Sequence, residues 1–235
     1  MPTCDSVSDA FELNHERDDA QSVAITSDRA EIILVRHGQT ESNVEKRIQG
    51  HLDVELTEAG RQQARAVADR LAKEGEISAI YSSDLKRATD TAELIAMACG
   101  GVNVIKDPDL RERNAGTLLQ GLKRSAAPQK QPEAYRSRER DQEIPGGGES
   151  KDQLYRRCTT CLQNIGLNHK GERVVVVTHG GVFGSLYRMV HPNEGNSGPR
   201  IENTSIGILH LFGGDNWVVK SWGDISHLNQ TKEKL

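Results

Sequence analysis

The chain has 235 residues and a formal net charge of −4 at pH 7. This length fits one domain, or one domain with an inserted cap, and it is long enough to bury a core. The acidic balance argues against a dedicated nucleic-acid binder. No apolar stretch approaches the roughly 20 residues that a membrane helix needs, so we expect neither a nucleic-acid nor a membrane partner.

The termini and the cysteines indicate a cytoplasmic protein. Residues 1–30 are rich in acids and lack an apolar centre, unlike transit peptides and secretory signals, so we expect a flexible acidic tail there. The four cysteines, Cys4 and Cys99 among them, are too few and too uneven for a disulfide framework, which favours a reducing compartment. Cys158 and Cys161 form a C-x-x-C pair inside a helical pattern, and we interpret them as ordinary helix residues.

Beyond the tail, strand-like and helix-like periodicities alternate. Thr57 and Ser150 stand where helix N-caps belong, and Ser150 with Gln153 has the spacing of a capping box. Alternating strands and helices predict an α/β fold of three layers, α/β/α, with a mostly parallel sheet. The predicted elements are strands at residues 31–35, 77–81, 102–105 and 174–177, helices at residues 57–75 and 84–98 and after Ser150 and Gly181, an irregular region at residues 117–145, and a hairpin of residues 205–212 and 217–222.

Two of the predicted strands end at a His-Gly pair. An RHG sequence starts at Arg36 after the first strand, and an HGG sequence starts at His179 after the strand at residues 174–177. The carboxyl edge of a parallel sheet is where open α/β folds place their chemistry. A neutral imidazole can attack phosphorus and leave it again, and an adjacent arginine presents planar donors that match phosphate oxygens. The pattern therefore favours two-step phosphoryl transfer.

Six motifs in this chain resemble those of the histidine phosphatase superfamily, which contains cofactor-dependent phosphoglycerate mutases and many metal-independent phosphatases. They occur in the family's order and extend from about residue 31 to the last hairpin. The resemblance implies a phosphoglycerate mutase-like domain over residues 31–235 with a small cap at about residues 107–149. The motifs are LVRHGQTESN at residues 34–43, LTEAG at 56–60, YSSDLKRA at 81–88, LRER at 110–113, PGGGES at 145–150 and THGG at 178–181.

The same resemblance implies a role for each matching residue. His37 is expected to be the nucleophile that becomes phosphohistidine. Glu112 is expected to donate a proton to the leaving oxygen and then to act as the base for the attacking water. His179 completes the pocket and steadies charge in the transition state. The residues expected to hold the phosphoryl oxygens are Arg36, Asn43 and Arg87.

The charges of these residues are consistent with metal-free chemistry. A phosphomonoester dianion brings a charge of about −2, which Arg36, Arg87 and a protonated His179 can neutralise. Arg87 falls in the first turn of a predicted helix, where a cation is unfavourable unless an anion binds beside it. The sequence has no cluster of histidines and carboxylates at ligand spacing, so we expect no metal and no cofactor.

Residues after the first motif are candidates for contact with the rest of the substrate. Gln49 and Gly50 occupy a position where family members touch the substrate, and Gly180 is a further candidate beside His179. We interpret His51 as a loop residue. The basic residues of the cap region fit either of two interpretations, a site for an acidic substrate group or a solvated surface. They are Lys123, Arg124, Lys130, Arg136, Arg138 and Arg140.

The chain departs from the family pattern near Glu112. Asn114 stands where the family usually has histidine, and Gly121 comes one residue late, so that one residue near Leu119 is extra. Two alternatives stay open: an intact loop, or a shifted Glu112 with weaker activity. Because Arg111 and Arg113 would favour the charged form of Glu112, we expect both to point away from it or toward phosphate.

Together these observations predict a phosphomonoester hydrolase of the histidine acid phosphatase type that acts on a small phosphorylated metabolite. One alternative is a cofactor-dependent phosphoglycerate mutase. The HGGV sequence at residues 179–182 and the short cap resemble the phosphatase branch instead of the mutases, which usually have HGNS. The other alternative is a catalytically weak phospho-ligand binding protein. The sequence predicts neither the natural substrate nor the oligomeric state.

Overall fold

The computed structural model describes residues 29–136, 141–190, 201–213 and 216–229. Residues 1–28 of the tail predicted at residues 1–30, with Cys4 among them, lie outside the described residues, as do Arg138 and Arg140. The prediction is wrong for Arg29 and Ala30, which belong to the first strand. The strands are β1 (Arg29–Arg36), β2 (Ala79–Ser82), β3 (Val104–Lys106), β4 (Arg173–Thr178), β5 (Ile206–Phe212) and β6 (Asn216–Asp224). The helices are α1 (Glu41–Val44), α2 (Glu58–Leu71), α3 (Lys86–Ala98), α4 (Gly116–Leu119), α5 (Ala127–Lys130), α6 (Pro132–Arg136), α7 (Lys151–Asn168), α8 (Gly180–Val190) and α9 (Ser226–Asn229).

The strands form a single six-stranded sheet in the order β3-β2-β4-β1-β5-β6. Strands β1 to β4 run parallel to their neighbours in this set, and β5 pairs antiparallel with both β1 and β6. The hairpin predicted at the end of the sheet is therefore present. A mostly parallel sheet was predicted from the alternation of strands and helices, and it is confirmed.

The two faces of the sheet carry separate layers of helices. On β1, Ile32 and Leu34 belong to a core that includes residues of α7 and α8, whereas Ile33 and Val35 belong to one that includes residues of α2 and α3. The four valines of β4 are fully buried, as expected of a central strand that is covered on both faces. The predicted three-layer α/β/α architecture is confirmed.

Local sequence signals determine where several helices begin. The Thr57 side chain accepts a hydrogen bond from the Gly60 N–H at 3.0 Å, and Ser150 and Gln153 form the predicted capping box at the start of α7. Several bounds differ from the predictions: α2 ends at Leu71 and not at residue 75, and β2 begins at Ala79 and not at residue 77. Helix α3 begins at Lys86 and not at residue 84, because Leu85 is extended, and β3 begins at Val104, after the turn at residues 100–101.

The C-x-x-C pair is part of the core. Cys158 and Cys161 lie on α7 within the core that faces α8, and both are free thiols. Burial raises the pKa of Cys158 to about 12, so the thiol is not activated as a nucleophile. Their interpretation as ordinary helix residues agrees with this packing.

The described residues between 107 and 149 form short helices around a small core of their own. A 3₁₀ turn at Pro108–Leu110 precedes α4, α5 and α6. The apolar cluster consists of Ala115, Leu119, Ala127, Ala134 and Ile144. The interpretation of this region as an inserted cap stays a prediction. Within the described ranges, every helix is too short or too polar to cross a bilayer.

Glu31 joins three neighbouring strands through a half-buried ion network. Its carboxylate accepts hydrogen bonds from Arg173 Nε on β4 at 2.6 Å and from His210 Nε2 on β5 at 3.1 Å. The hydrogen bond from His210, together with that from Arg173, outweighs burial and lowers the pKa of Glu31 from 4.5 to about 2. Because the pKa of Glu31 is lower in the folded chain, its carboxylate stabilises the fold fully at pH values above 4.5, the ordinary pKa. This stabilisation is lost as the pH falls toward about 2, the pKa in the folded chain.

We expect Glu31→Gln to destabilise the protein at pH 7 by about 1–3 kcal/mol, since the charge-assisted hydrogen bonds are lost. The difference from the wild type should shrink as pH falls from 4.5 toward 2. Urea unfolding at a series of pH values measures both effects. Glu93→Gln, at an exposed carboxylate, is the matched control. A loss of stability at pH 7 that persists unchanged at pH 3 would contradict this account.

Candidate active site

The register of the sheet brings the two predicted histidines together. Strands β1 and β4 are parallel, and Arg36 lies opposite Thr178. The next residue of each strand, His37 and His179, therefore leaves the sheet at the same point. Their ring centroids lie 5.1 Å apart with an angle of 56° between the ring planes. Both side chains are buried, so the sheet edge holds two imidazoles in direct contact.

The hydrogen bonding of His37 determines which nitrogen is available for chemistry. Its Nδ1 lies 2.7 Å from the carbonyl oxygen of Gly38. A carbonyl only accepts, so Nδ1 carries the proton and Nε2 keeps its lone pair. Burial, and then the positive charges of Arg87 and Arg36, hold the pKa of His37 well below 6.5. A neutral imidazole with a free Nε2 is the form that a nucleophile requires.

His179 lies behind His37 in an equally positive environment. Neither of its ring nitrogens has a hydrogen-bond partner within the described ranges. Burial, followed by Arg87, His37 and Arg36, holds the pKa of His179 well below 6.5. These surroundings favour the neutral imidazole, whereas an adjacent phosphate dianion would favour the protonated form that the sequence predicts for the complex with substrate.

Arg87 is fixed by backbone carbonyls. Its guanidinium donates to the carbonyl oxygens of Leu52 at 2.8 Å and Gly50 at 2.9 Å, and the side chain is fully buried. Burial lowers the pKa of Arg87 to about 10, so it stays a cation at neutral pH. Arg36 is held by a hydrogen bond to the carbonyl oxygen of Ile201. Both predicted phosphate-binding arginines therefore reach the site as positioned cations.

Glu112 reaches the site from the loop that precedes α4. Its carboxylate accepts hydrogen bonds from the backbone N–H of Gly181 at 3.0 Å and from that of Arg113 at 2.7 Å. Arg111 instead pairs with Asp84, its Nε lying 2.6 Å from the carboxylate, and Arg113 Nε donates to the carbonyl oxygen of Glu149. The two flanking arginines are thus directed to other acceptors, as the sequence analysis expected.

The extra residue near Leu119 does not remove Glu112 from the site. The residues around Leu119 form α4, which begins at Gly116 with a φ of 67°. The Asn114 side chain accepts a hydrogen bond from the Gly116 N–H at 2.9 Å and so stabilises the turn. The structure places Glu112 on the wall of the cavity, and the two alternatives for its effect on activity stay predictions.

The Glu112 loop is supported by Arg157, which the sequence analysis missed. This arginine of α7 pairs with both carboxylate oxygens of Glu149, at 2.6 and 2.9 Å. His51, interpreted from sequence as a loop residue, donates from Nε2 to the Glu112 carbonyl oxygen at 2.7 Å. In the sequence, Arg157 is indistinguishable from a solvated helix arginine. Arg157 also donates to the carbonyl oxygens of Asp109 (2.7 Å), Arg111 (2.9 Å) and Glu112 (3.0 Å).

Asn203 supports the histidine side of the site and was also missed. Its Nδ2 donates to the His37 carbonyl oxygen at 3.0 Å and to Asn43 Oδ1 at 3.3 Å. Thr204 follows with a φ of 59°, an uncommon conformation for a β-branched residue, and its N–H donates to the Arg36 carbonyl oxygen at 3.0 Å. The conformation of this turn therefore fixes the backbone at the end of β1.

These side chains surround a cavity of about 580 Å³. All the predicted site residues line it except His179, which lies behind His37. The carbonyl of Gly50 also fixes Arg87, and Gly180 lies against Arg36. No cluster of metal-ligating side chains occurs in the part of the chain that the structure describes. The lining residues predicted from sequence are Arg36, His37, Asn43, Gln49, Gly50, Arg87, Glu112 and Gly180.

A positively charged pocket at the carboxyl edge of an α/β sheet, with paired histidines and an opposed carboxylate, defines a phosphate-processing site. Residues 32–225 match the family model of the histidine phosphatase superfamily, branch 1. The chain belongs to this superfamily. The resemblance found in the sequence motifs is confirmed, and with it the assignment to the phosphatases and the phosphoglycerate mutase-like fold.

Two curated proteins of Arabidopsis thaliana are similar over most of the chain. Phosphoglycerate mutase-like protein 4 is 54% identical over 222 residues, which cover 93% of this chain and 94% of that protein. A metal-independent phosphoserine phosphatase is 47% identical over 213 residues, 89% and 88% of the two chains. The solved phosphoserine phosphatase of Entamoeba histolytica, in complex with 3-phosphoglyceric acid, is 28% identical with a TM-score of 0.72, covering 85% of this chain and 99% of its own.

We expect the imidazole of His37 to remain neutral, with Nδ1 protonated, down to pH 6 and below. The depressed pKa of His37 predicts this, since an ordinary histidine would be largely charged at that pH. Long-range ¹H–¹⁵N NMR correlation of the ring nitrogens reports both charge and tautomer. Addition of inorganic phosphate should raise the pKa of His179. Titration of His37 near pH 6.5 in the free protein would contradict the proposed environment.

We expect Asn203→Ala to lower kcat/KM by about 10- to 100-fold, because the variant leaves the His37 carbonyl without a buried hydrogen-bond donor. Thermal unfolding should show that the variant remains folded. Asn164→Ala, at an exposed position of α7, is the control and should match the wild type. Unchanged kinetics in Asn203→Ala would show that the turn at residues 203–204 does not position His37.

Proposed function

We propose that this protein hydrolyses small phosphomonoesters through a phosphohistidine at His37, without a metal ion. The observation that carries the proposal is the neutral, buried His37, whose Nε2 lone pair is free beside Arg36 and Arg87. This arrangement combines a nucleophile with two cations that match phosphoryl oxygens. We also propose that the enzyme is a phosphatase of the histidine acid phosphatase type.

The first half-reaction transfers the phosphoryl group to the enzyme. His37 Nε2 forms a bond to phosphorus while the bond between phosphorus and the ester oxygen breaks. A protonated Glu112 gives its proton to the departing oxygen, so that an alcohol leaves. Arg36, Arg87 and Asn43 hold the nonbridging oxygens, and His179 compensates the developing charge.

The second half-reaction returns the enzyme to its starting state. The Glu112 carboxylate accepts a proton from water, the water oxygen bonds to phosphorus, and the bond to His37 Nε2 breaks. Inorganic phosphate leaves, and Glu112 is protonated again for the next substrate. One carboxyl group therefore serves both steps from one position, which requires that it be held firmly at the cavity wall.

The basic lining of the cavity favours a phosphorylated acid as substrate. Arg113, Arg124 and Lys151 line the cavity in addition to the two arginines beside His37. The cations that line the cavity outnumber the two negative charges of a phosphoryl dianion, which favours a substrate with a second acidic group. Phosphoserine and phosphoglycerates have this chemistry and appear in the names of the relatives. Candidate contacts to the rest of the substrate are Gln49, Gly50 and Gly180.

A phosphoglycerate mutase is the second candidate, because a relative with 54% identity has a mutase-like name. A mutase would return the phosphoryl group to a second hydroxyl and would depend on 2,3-bisphosphoglycerate. We favour hydrolysis because the HGGV sequence at residues 179–182 and the short cap resemble the phosphatase branch. We further propose that the protein acts in the cytoplasm and that residues 107–149 form a cap over the cavity.

We expect the pure protein to hydrolyse p-nitrophenyl phosphate and phosphoserine in excess EDTA. His37→Ala should abolish turnover, because the variant lacks the imidazole that forms the bond to phosphorus. Phosphate release with and without EDTA measures both claims, and Asn164→Ala is again the control. Turnover that requires an added divalent metal, or that survives in His37→Ala, would refute the mechanism.

The same assay separates the two candidate functions. With 3-phosphoglycerate as substrate, a phosphatase releases inorganic phosphate, and 2,3-bisphosphoglycerate does not increase its rate. A mutase converts 3-phosphoglycerate to 2-phosphoglycerate and depends on the bisphosphate. Isomerisation faster than phosphate release would overturn the choice of hydrolysis.

A further inference from the structure

Gly181 occupies a position that no other residue type could occupy with Glu112 where it is. A Cβ atom at residue 181 would lie 1.8 Å from Glu112 Oε1 and 2.9 Å from its Cδ. Both distances are far inside van der Waals contact. At the same time the Gly181 N–H donates to Glu112 Oε2 at 3.0 Å. The carboxyl group of Glu112 therefore lies directly against the backbone of Gly181.

The preceding glycine has no such restriction. A Cβ atom at Gly180 would lie 3.5 Å from Arg36 Nε, an ordinary contact. Gly180 and Gly181 share the first turn of α8, so the general properties of that turn do not explain the difference. What distinguishes Gly181 is the carboxyl group that occupies the space of its missing side chain.

The position of Glu112 is also fixed from its own main chain. Its carbonyl oxygen accepts hydrogen bonds from His51 at 2.7 Å and Arg157 at 3.0 Å, and Oε1 accepts one from the Arg113 N–H. These contacts anchor the loop and restrain Oε1, but none of them reaches Oε2. The Gly181 N–H is the donor that holds Oε2.

We propose that Gly181 is a positioning residue for hydrolysis, which places the Glu112 carboxyl for proton transfer by its N–H group and by its lack of a side chain. This inference rests on the proposed function, in which Glu112 moves a proton in both half-reactions. A side chain at residue 181 displaces the carboxyl group, while Arg36 and Arg87 keep their places. Proton transfer should therefore suffer more than phosphate binding.

The experiment compares Gly181→Ala in two backgrounds, the wild type and Glu112→Ala, with p-nitrophenyl phosphate and phenyl phosphate. In the wild-type background, kcat for phenyl phosphate should fall by about 100-fold, since general acid–base catalysis contributes about 10²- to 10⁴-fold. The loss should be smaller for p-nitrophenyl phosphate, whose leaving group needs less protonation. Inhibition by inorganic phosphate should change by less than about threefold, since both arginines remain.

In the Glu112→Ala background, Gly181→Ala should cause no further loss of activity, because the group with which it collides is gone. The melting temperature should even rise, since alanine is a better helix former than glycine. A purely structural role would instead lower activity and melting temperature in both backgrounds. That result, or unchanged kinetics of Gly181→Ala alone, would overturn the inference.

The wild-type measurement distinguishes the two levels of the proposal. If the wild type fails to hydrolyse either aryl phosphate in EDTA, the proposed function falls and the inference falls with it. If the wild type is active and Gly181→Ala matches it, only the role of Gly181 is refuted.

Discussion

The organising constraint of this structure is the burial of positive charge at one edge of the sheet. Arg36 and Arg87 converge on two histidines, and the low dielectric of the interior makes their mutual repulsion costly. Burial first, and then the charges of these arginines, lower the pKa values of both histidines and keep them neutral. The arginines remain charged and are held by carbonyl oxygens of Leu52, Gly50 and Ile201. Such a pocket is complementary to a dianion.

The site is assembled from two halves with different supports. The phosphate-binding half depends on the parallel register of β1 and β4 and on the turn that contains Asn203. The proton-transfer half depends on the loop of Glu112, which Arg157 holds through backbone carbonyls. The halves meet at Gly181, the second residue of α8. His179 links β4 to this helix. The geometry between nucleophile and acid is therefore set by the fold as a whole.

Residues whose side chains carry out the chemistry could be predicted from the sequence. Residues that support the site through hydrogen bonds to main-chain carbonyls could not. The RHG and HGG junctions predicted that His37 and His179 meet, because parallel strands end at a common edge. Asn203 and Arg157 gave no such signal, since both donate to main-chain carbonyls that are remote in the sequence. The role of His51 could not be predicted for the same reason, since it donates to the main-chain carbonyl of Glu112, which is remote in the sequence. Helix starts at Thr57 and Ser150 were predictable because capping is local, whereas the start of α3 depended on the extended conformation of Leu85.

The most direct test of the account is to trap the covalent intermediate. Enzyme mixed with substrate, quenched in alkali within the first turnovers and digested, should yield a peptide that carries one phosphoryl group on His37. The modification should disappear on exposure to acid, as expected of a phosphoramidate. A phosphoryl group on another residue, or its absence from His37 while a phosphorylated intermediate accumulates, would contradict the central claim that His37 is the nucleophile.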